Sequence, residues 1–100
     1  MKLKKGDYGF VIPGRVLKSD FSSFNLTGYT VKLKVWAKGA STPLWTLNGS
    51  ITEAMAGTVE FTVLDTHFTQ VGVFFGEIEL IRAGHIESTN SFRIDVLESV

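Results

Sequence analysis

The sequence contains no cysteine, only two prolines, and no excess of charge of either sign. Without cysteine, the chain of 100 residues forms no disulfide, no thiolate metal site and no thiol nucleophile. The charges of ten basic and ten acidic side chains cancel, so the chain has no net positive charge to attract nucleic acids or anionic membranes. No apolar run approaches the roughly 20 residues that a membrane-spanning helix needs. We therefore expect no nucleic-acid partner and no membrane partner.

What remains is the composition of an ordinary globular protein. Apolar residues make up 44% of the chain and charged residues 20%, which is enough apolar surface to offset chain entropy. The length suits one domain, which we predict to span residues 1–100. The basic first residues are not followed by the apolar run of a signal peptide, because Asp7 and Gly9 interrupt it.

Alternation of apolar and polar residues is the dominant pattern, and it predicts strands with one buried face. In the segment 30–36, Val31, Leu33 and Val35 fall on one face, and the lysines between them fall on the other. Segments 58–63, 73–81 and 91–96 repeat this pattern. Glycines interrupt the chain at intervals of about 8–15 residues, as expected of a β-sandwich or barrel.

Weaker strands are predicted at residues 3–5, 8–13, 43–47 and 51–55. Pro13 places its strand at a sheet edge or ends it there, because proline donates no ladder hydrogen bond. Asn48-Gly49 is the dipeptide most typical of a tight hairpin turn, so the segment 51–55 is expected to pair back on 43–47. Residues 52–56 are also good helix formers, which leaves strand and helical turn both open there.

About seven short strands in 100 residues favour an all-β fold, and specifically an immunoglobulin-like antiparallel β-sandwich. A small barrel is the main alternative. In the sandwich, segments 30–36 and 73–81 are neighbours in one sheet. The outward Lys32 and Lys34 would then face Glu77 and Glu79, and such pairs contribute roughly 0.2–1 kcal/mol each.

Catalytic and metal-binding patterns are weak. Asp65 is close enough in sequence to orient His67 as a general base, but an Asp65 that caps a turn beside a solvated His67 is the favoured interpretation. His85 is interpreted as a hairpin-turn residue. No zinc-ligand spacing, calcium loop or phosphate loop is present in the sequence. We expect no catalytic, cofactor-binding or metal-binding residues and no enzymatic activity.

Four apolar side chains are predicted to point outward by alternation, and they are the candidate interaction residues: Trp36, Val73, Phe75 and Ile81. Exposed together, they would form an apolar patch on the outer face of one sheet, and tryptophan is enriched at interface hot spots. The alternative interpretation is that a loop or the N-terminal segment covers them. The sequence leaves both open.

The order of several short motifs is more specific than any one of them. The set runs Lys5-Gly6-Asp7, Asn25-Leu26-Thr27-Gly28-Tyr29-Thr30-Val31, Gly57-Thr58-Val59-Glu60-Phe61, Gly72-Val73-Phe74-Phe75-Gly76-Glu77-Ile78-Glu79 and Ser88-Thr89-Asn90-Ser91-Phe92-Arg93-Ile94. In this order the chain resembles the N-terminal domain of the phage baseplate upper protein family. Residues 21–24 are more aromatic than the corresponding loop of that family.

The resemblance implies a structural role without cofactors. It implies a β-sandwich module of the phage tail that attaches the receptor-binding apparatus to the baseplate, within a virion made in the bacterial cytoplasm. Partners would be other baseplate or tail proteins, with a homo-oligomer as a further expectation because tail parts are symmetric. The alternative function is a carbohydrate-binding or adhesive sandwich that stacks sugars on Trp36, Trp45, Tyr29 or Tyr8.

Overall fold

Eight strands account for the regular structure in the computed structural model, which describes residues 1–99. Val100, the last residue of the predicted domain, lies outside the described residues. The strands are β1 (Lys2–Lys4), β2 (Val11–Arg15), β3 (Thr30–Ala37), β4 (Trp45–Glu53), β5 (Thr58–Thr62), β6 (Gly72–Arg82), β7 (His85–Ser88) and β8 (Phe92–Leu97). One 3₁₀ turn, Ala54–Ala56, follows β4. Among residues 1–99, no helix is long and apolar enough to cross a lipid bilayer.

The strands form one curled sheet in the order β1-β8-β6-β3-β4-β5-β2, and β7 pairs with the second half of β6. All neighbours are antiparallel except β1 and β8, which run parallel, so the sheet is mixed. The all-β prediction is confirmed. The immunoglobulin-like sandwich is not confirmed, because a single hydrogen-bonded path joins every strand where a sandwich has two separate sheets.

Strand β4 belongs to both halves of the curled sheet. Its first half pairs with β3 through Asn48, and its second half pairs with β5 from Gly49 onward. A Cβ atom at Gly49 would lie 2.6 Å from Val31 Cγ2 and 2.7 Å from Phe61 Cε1. Only glycine therefore fits at position 49, where β4 changes its partner from β3 to β5.

The hairpin predicted at Asn48-Gly49 is consequently wrong. Both residues lie inside the continuous strand β4, and Gly49 is not among the residues with positive φ. Residues 51–53 continue β4 and pair with β5, and residues 54–56 form the 3₁₀ turn. Glycine is used here for close packing and not for the turn conformation that the dipeptide usually signals.

The inward faces of the strands meet in one core, as alternation predicts. Val31, Leu33 and Val35 of β3 are fully buried. The same holds for alternate residues of β5, and for Ile94 and Val96 of β8, whereas Phe92 is half-buried. Trp45 joins this core, with ring centroids 5.2 Å from Phe68 and 4.8 Å from Phe74. Aromatic pairs at these separations add stability beyond area burial.

The predicted charge ladder on the outer face is confirmed. Lys32 lies opposite Glu79, and Lys34 lies opposite Glu77, across β3 and β6. The close ion pair is the diagonal one, with Lys34 Nζ 2.8 Å from Glu79 Oε2. The edge position predicted from Pro13 is also confirmed, since β2 is the last strand of the sheet and pairs only with β5.

The contacts around Gly49 predict that Gly49→Ala strongly destabilises the fold. The new methyl group would also lie 2.8 Å from the Val31 carbonyl oxygen, which is backbone and cannot turn aside. We expect a loss of about 2 kcal/mol or more in the free energy of unfolding, measured by urea denaturation. Ser50→Ala, at an exposed neighbouring position, is the matched control and should stay within about 0.5 kcal/mol of the wild type. Equal stability of the two variants would contradict this account of the bend.

Candidate interaction surface

Three of the four candidate interaction residues lie together on the outer face of the sheet. Trp36 of β3 is directly opposite Phe75 of β6, and Val73 follows on the same face of β6. All three are half-buried. Ile81 is at the other end of β6, about 20 Å away at the usual rise per residue, with Glu77 and Glu79 between. We refer to Trp36, Val73 and Phe75 as the Trp36 patch.

Charged residues border the Trp36 patch along β8. Arg93 lies opposite Phe75, and Asp95 lies opposite Val73. Arg93 and Asp95 pair with each other, at 2.9 Å between Nη2 and Oδ1, and do not join the Lys34–Glu79 pair. An apolar centre with a polar rim is the usual anatomy of a protein–protein interface.

The immediate surroundings show how far the Trp36 patch is covered. β1, the N-terminal strand, pairs with the far side of β8, so β8 and β6 both lie between it and β3. It therefore does not lie over Trp36. The loop after β3 is closer, because Gly39 and Ala40 line a shallow depression together with Trp36 and Phe75. Glu77 and Ser91 complete that depression and give it polar groups.

His67 has a structural position that the sequence did not reveal. Only 8% of its surface is exposed, so the expectation of a solvated side chain is wrong. Its Nδ1 accepts a hydrogen bond from the Leu64 amide at 3.0 Å, which requires the neutral ring at that nitrogen. Burial lowers the pKa of His67, against the opposing effects of a hydrogen bond to the Thr46 backbone and the charge of Asp65. The His67 imidazole thus stabilises the turn that follows β5.

His85 is the first residue after the two-residue turn that joins β6 to β7, close to its predicted place. Its Nε2 lies 3.4 Å from Glu87 Oε1, and both side chains are about half exposed. This pair lies along an exposed strand, with all four residues of β7 open to solvent.

The aromatic residues proposed as sugar platforms are dispersed. Trp45 is buried in the core. Tyr29 is half-buried against Phe24, and the Arg82 guanidinium covers its ring at 4.9 Å from the centroid. Trp36 is half-buried, and Tyr8 is 63% exposed. Stacking on Trp45 is therefore excluded in this fold, and one face of Tyr29 is already occupied.

One exposed aromatic residue was missed as a candidate. Phe21 is 82% exposed and has φ of 67°, a conformation that is strained for a bulky side chain. Local hydrogen bonds hold its loop, since the Phe21 amide donates to the Lys18 carbonyl oxygen and the Ser22 amide donates to the Asp20 carboxylate. The hydroxyl and amide of Ser22 lower the pKa of Asp20. The aromatic content of residues 21–24 was the sequence signal for this loop.

Comparisons with known proteins give a structural likeness only. No family model matches the sequence, and no curated protein matches it. Nine chains of known structure match, among them the N-terminal domain of phage TP901-1 ORF48. That likeness has a TM-score of 0.72 at 19% sequence identity and covers 96% of this chain and 82% of the other. The two share their fold over nearly the whole of this chain.

The buried neutral His67 predicts that stability falls as the pH drops below about 6.5, the usual pKa of histidine in an unfolded chain. Its pKa is lower in the folded state, so between the two values only the unfolded chain takes up the proton. We expect a smaller free energy of unfolding at pH 5.5 than at pH 7.5, measured by urea denaturation. His67→Asn, whose Oδ1 can accept from the Leu64 amide, should remove this dependence. His85→Asn should retain it, and an unchanged pH dependence in His67→Asn would count against this role.

Strain at Phe21 predicts that Phe21→Asn stabilises the protein. Asparagine tolerates positive φ, so the expected gain is about 1 kcal/mol in the free energy of unfolding. Tyr8→Asn is the control, since it also removes an exposed aromatic ring but from a residue without positive φ. Thermal and urea denaturation would measure both variants. Loss of stability in Phe21→Asn would mean that the phenyl ring makes contacts that outweigh the strain.

Proposed function

We propose that this chain is a non-enzymatic structural module of a phage tail, which acts by binding other tail proteins. The observation that carries the proposal is the fold shared over 96% of the chain with a phage domain, the N-terminal domain of phage TP901-1 ORF48. The ordered motifs from Lys5 to Ile94, which resemble the baseplate upper protein family, support it independently of the coordinates.

The finer proposal is that the module attaches the receptor-binding apparatus to the baseplate and is carried in the virion. Its partners would be other baseplate or tail proteins. The Trp36 patch is the proposed contact on the face of the sheet, because a tryptophan and a phenylalanine there are bordered by the Arg93–Asp95 ion pair. Binding energy in such interfaces concentrates on a few aromatic residues inside a polar rim.

No catalytic role is part of the proposal. His67 is engaged through Nδ1 in fastening the turn after β5, and its surface is almost fully buried. His85 and Glu87 lie side by side on an exposed edge strand. These positions of the two histidines support a role that the module carries out through its surface.

Fluorescence offers a sharp test, because Trp45 is buried and iodide can therefore reach only Trp36. Peptide mass spectrometry of purified phage particles would first establish whether the protein is a virion component, and its absence from them would overturn the proposal. Purified proteins of the same particles would then be added to the chain. We expect a tail protein to protect Trp36 from quenching. Protection by a polysaccharide instead would favour the carbohydrate-binding alternative.

A matched pair of variants tests the Trp36 patch itself. Trp36→Lys should weaken binding of that tail protein by about thirtyfold, the effect of losing about 2 kcal/mol at an interface hot spot. Thr46→Lys, at an exposed residue of the neighbouring strand β4, is the control and should bind as the wild type does. Melting curves for both variants separate loss of contact from loss of fold. If a folded Trp36→Lys variant bound the tail protein as tightly as the wild type does, the Trp36 patch would not be part of the interface.

A further inference from the structure

Strand β7 is a free sheet edge. It pairs with β6 on one side, and no other strand within residues 1–99 pairs with its second side. All four of its residues are exposed, and Ile86 is 67% exposed. A free edge presents unpaired backbone amides and carbonyls to any strand that reaches it.

The hydrogen-bond pattern shows which backbone groups face outward. The Thr89 amide donates to the carbonyl oxygen of Ile78, its opposite residue on β6, at 3.0 Å. Bonded and non-bonded pairs alternate along an antiparallel ladder. Glu87 and His85 therefore turn their backbone groups toward β6. Ile86 and Ser88 turn theirs toward the free side.

The two other sheet edges carry proline or lysine, residues that discourage pairing at an edge. β2 has Pro13 in its middle, which cannot donate to an added strand. β1 has Lys2 and Lys4, and lysine is a common guard of edge strands because identical strands then repel each other. β7 contains neither proline nor lysine.

The sequence of β7 is complementary to itself in antiparallel pairing. We propose that β7 is a docking edge for a second copy of this chain, paired antiparallel about a two-fold axis at Ile86. Each Ile86 then lies opposite the other Ile86 and exchanges both backbone hydrogen bonds with it. Each His85 lies opposite the other copy's Glu87, on the same face. The present contact between His85 and Glu87 within one strand, at 3.4 Å, shows that the two side chains can pair.

Apolar surface continues on both faces of this edge, where a second copy would pack. On the outer face, Ile81 pairs with Ile86 and both line a shallow hollow at the end of the sheet. On the opposite face, a groove lies between Glu87 and the loop that carries Leu17 and Phe21. The edge is separate from the Trp36 patch, so this pairing does not depend on the proposed function of that patch.

Sedimentation equilibrium over a range of protein concentrations tests the pairing. We expect a reversible dimer at about 0.1–1 mM, since an interface built on one short strand is small and binds weakly. Ile86→Lys places two ammonium groups against each other at the two-fold axis and should leave a monomer. Met55→Lys is the control, because Met55 is similarly exposed, at 74%, on the 3₁₀ turn after β4. It should dimerise as the wild type does.

A charge exchange tests the register. Glu87→Lys replaces both His85–Glu87 pairs with unfavourable ones and should weaken the dimer by about tenfold, given roughly 0.2–1 kcal/mol for each cross-strand pair. The double variant His85→Glu/Glu87→Lys places opposite charges in both pairs. It should recover wild-type association or exceed it. Failure of the double variant to recover would exclude this register.

Amide hydrogen exchange gives a direct measure of the paired backbone groups. The amide of Ile86 should become protected as concentration rises, and the protection should be absent in Ile86→Lys. A wild-type chain that stays monomeric at about 1 mM would overturn the proposal. So would a dimer that Ile86→Lys leaves intact. A monomer that still binds a tail protein through Trp36 would refute self-pairing and leave the proposed function standing.

Discussion

The whole architecture depends on the close approach of Val31 and Phe61 over the backbone of Gly49. Because Gly49 has no side chain, β4 can leave β3 after Asn48 and pair with β5 from Gly49 onward. The sheet thereby curls over its own inner face and encloses a core without a second sheet. Gly76 of β6 is also closely packed, since a Cβ atom there would lie 2.9 Å from Phe92 Cζ. Strands β4 and β6 thus each have a glycine at a position where a side chain would collide with its neighbours.

Sequence alternation predicts faces well because it depends only on the strand period. It assigned Val31, Leu33 and Val35 to the core, and it placed Lys32 and Lys34 opposite the glutamates of β6. The hairpin prediction from the Asn48-Gly49 dipeptide failed because a glycine is used equally well in a turn and in a close packing contact. The deciding contacts come from residues 31 and 61, which are distant in sequence. His67 was misplaced for a related reason: its burial depends on how the turn after β5 packs, which no local pattern contains.

The candidate surface shows the same division between what is local and what is not. Alternation correctly put Trp36, Phe75 and Ile81 on one face, but a face extends along the whole strand. Whether two of its residues meet depends on the register, and the register places Phe75, and not Ile81, beside Trp36. The positive φ of Phe21 was not predicted, because phenylalanine seldom adopts that conformation. Its conformation follows from the hydrogen bonds of the surrounding turn, and the exposed ring follows from that conformation.

The curled sheet has two kinds of exposed surface. One would bind through side chains and the other through backbone hydrogen bonds. The Trp36 patch lies on a face, where recognition depends on side chains and can be specific for an unlike partner. The β7 edge offers backbone groups, which any extended strand can satisfy, so its selectivity has to come from the few side chains beside them. In His85, Ile86 and Glu87 those side chains match a reversed copy of themselves. If both proposals hold, the module would bind its own kind along an edge and another protein on its face, and a symmetric assembly of unlike parts could be built from these two kinds of contact.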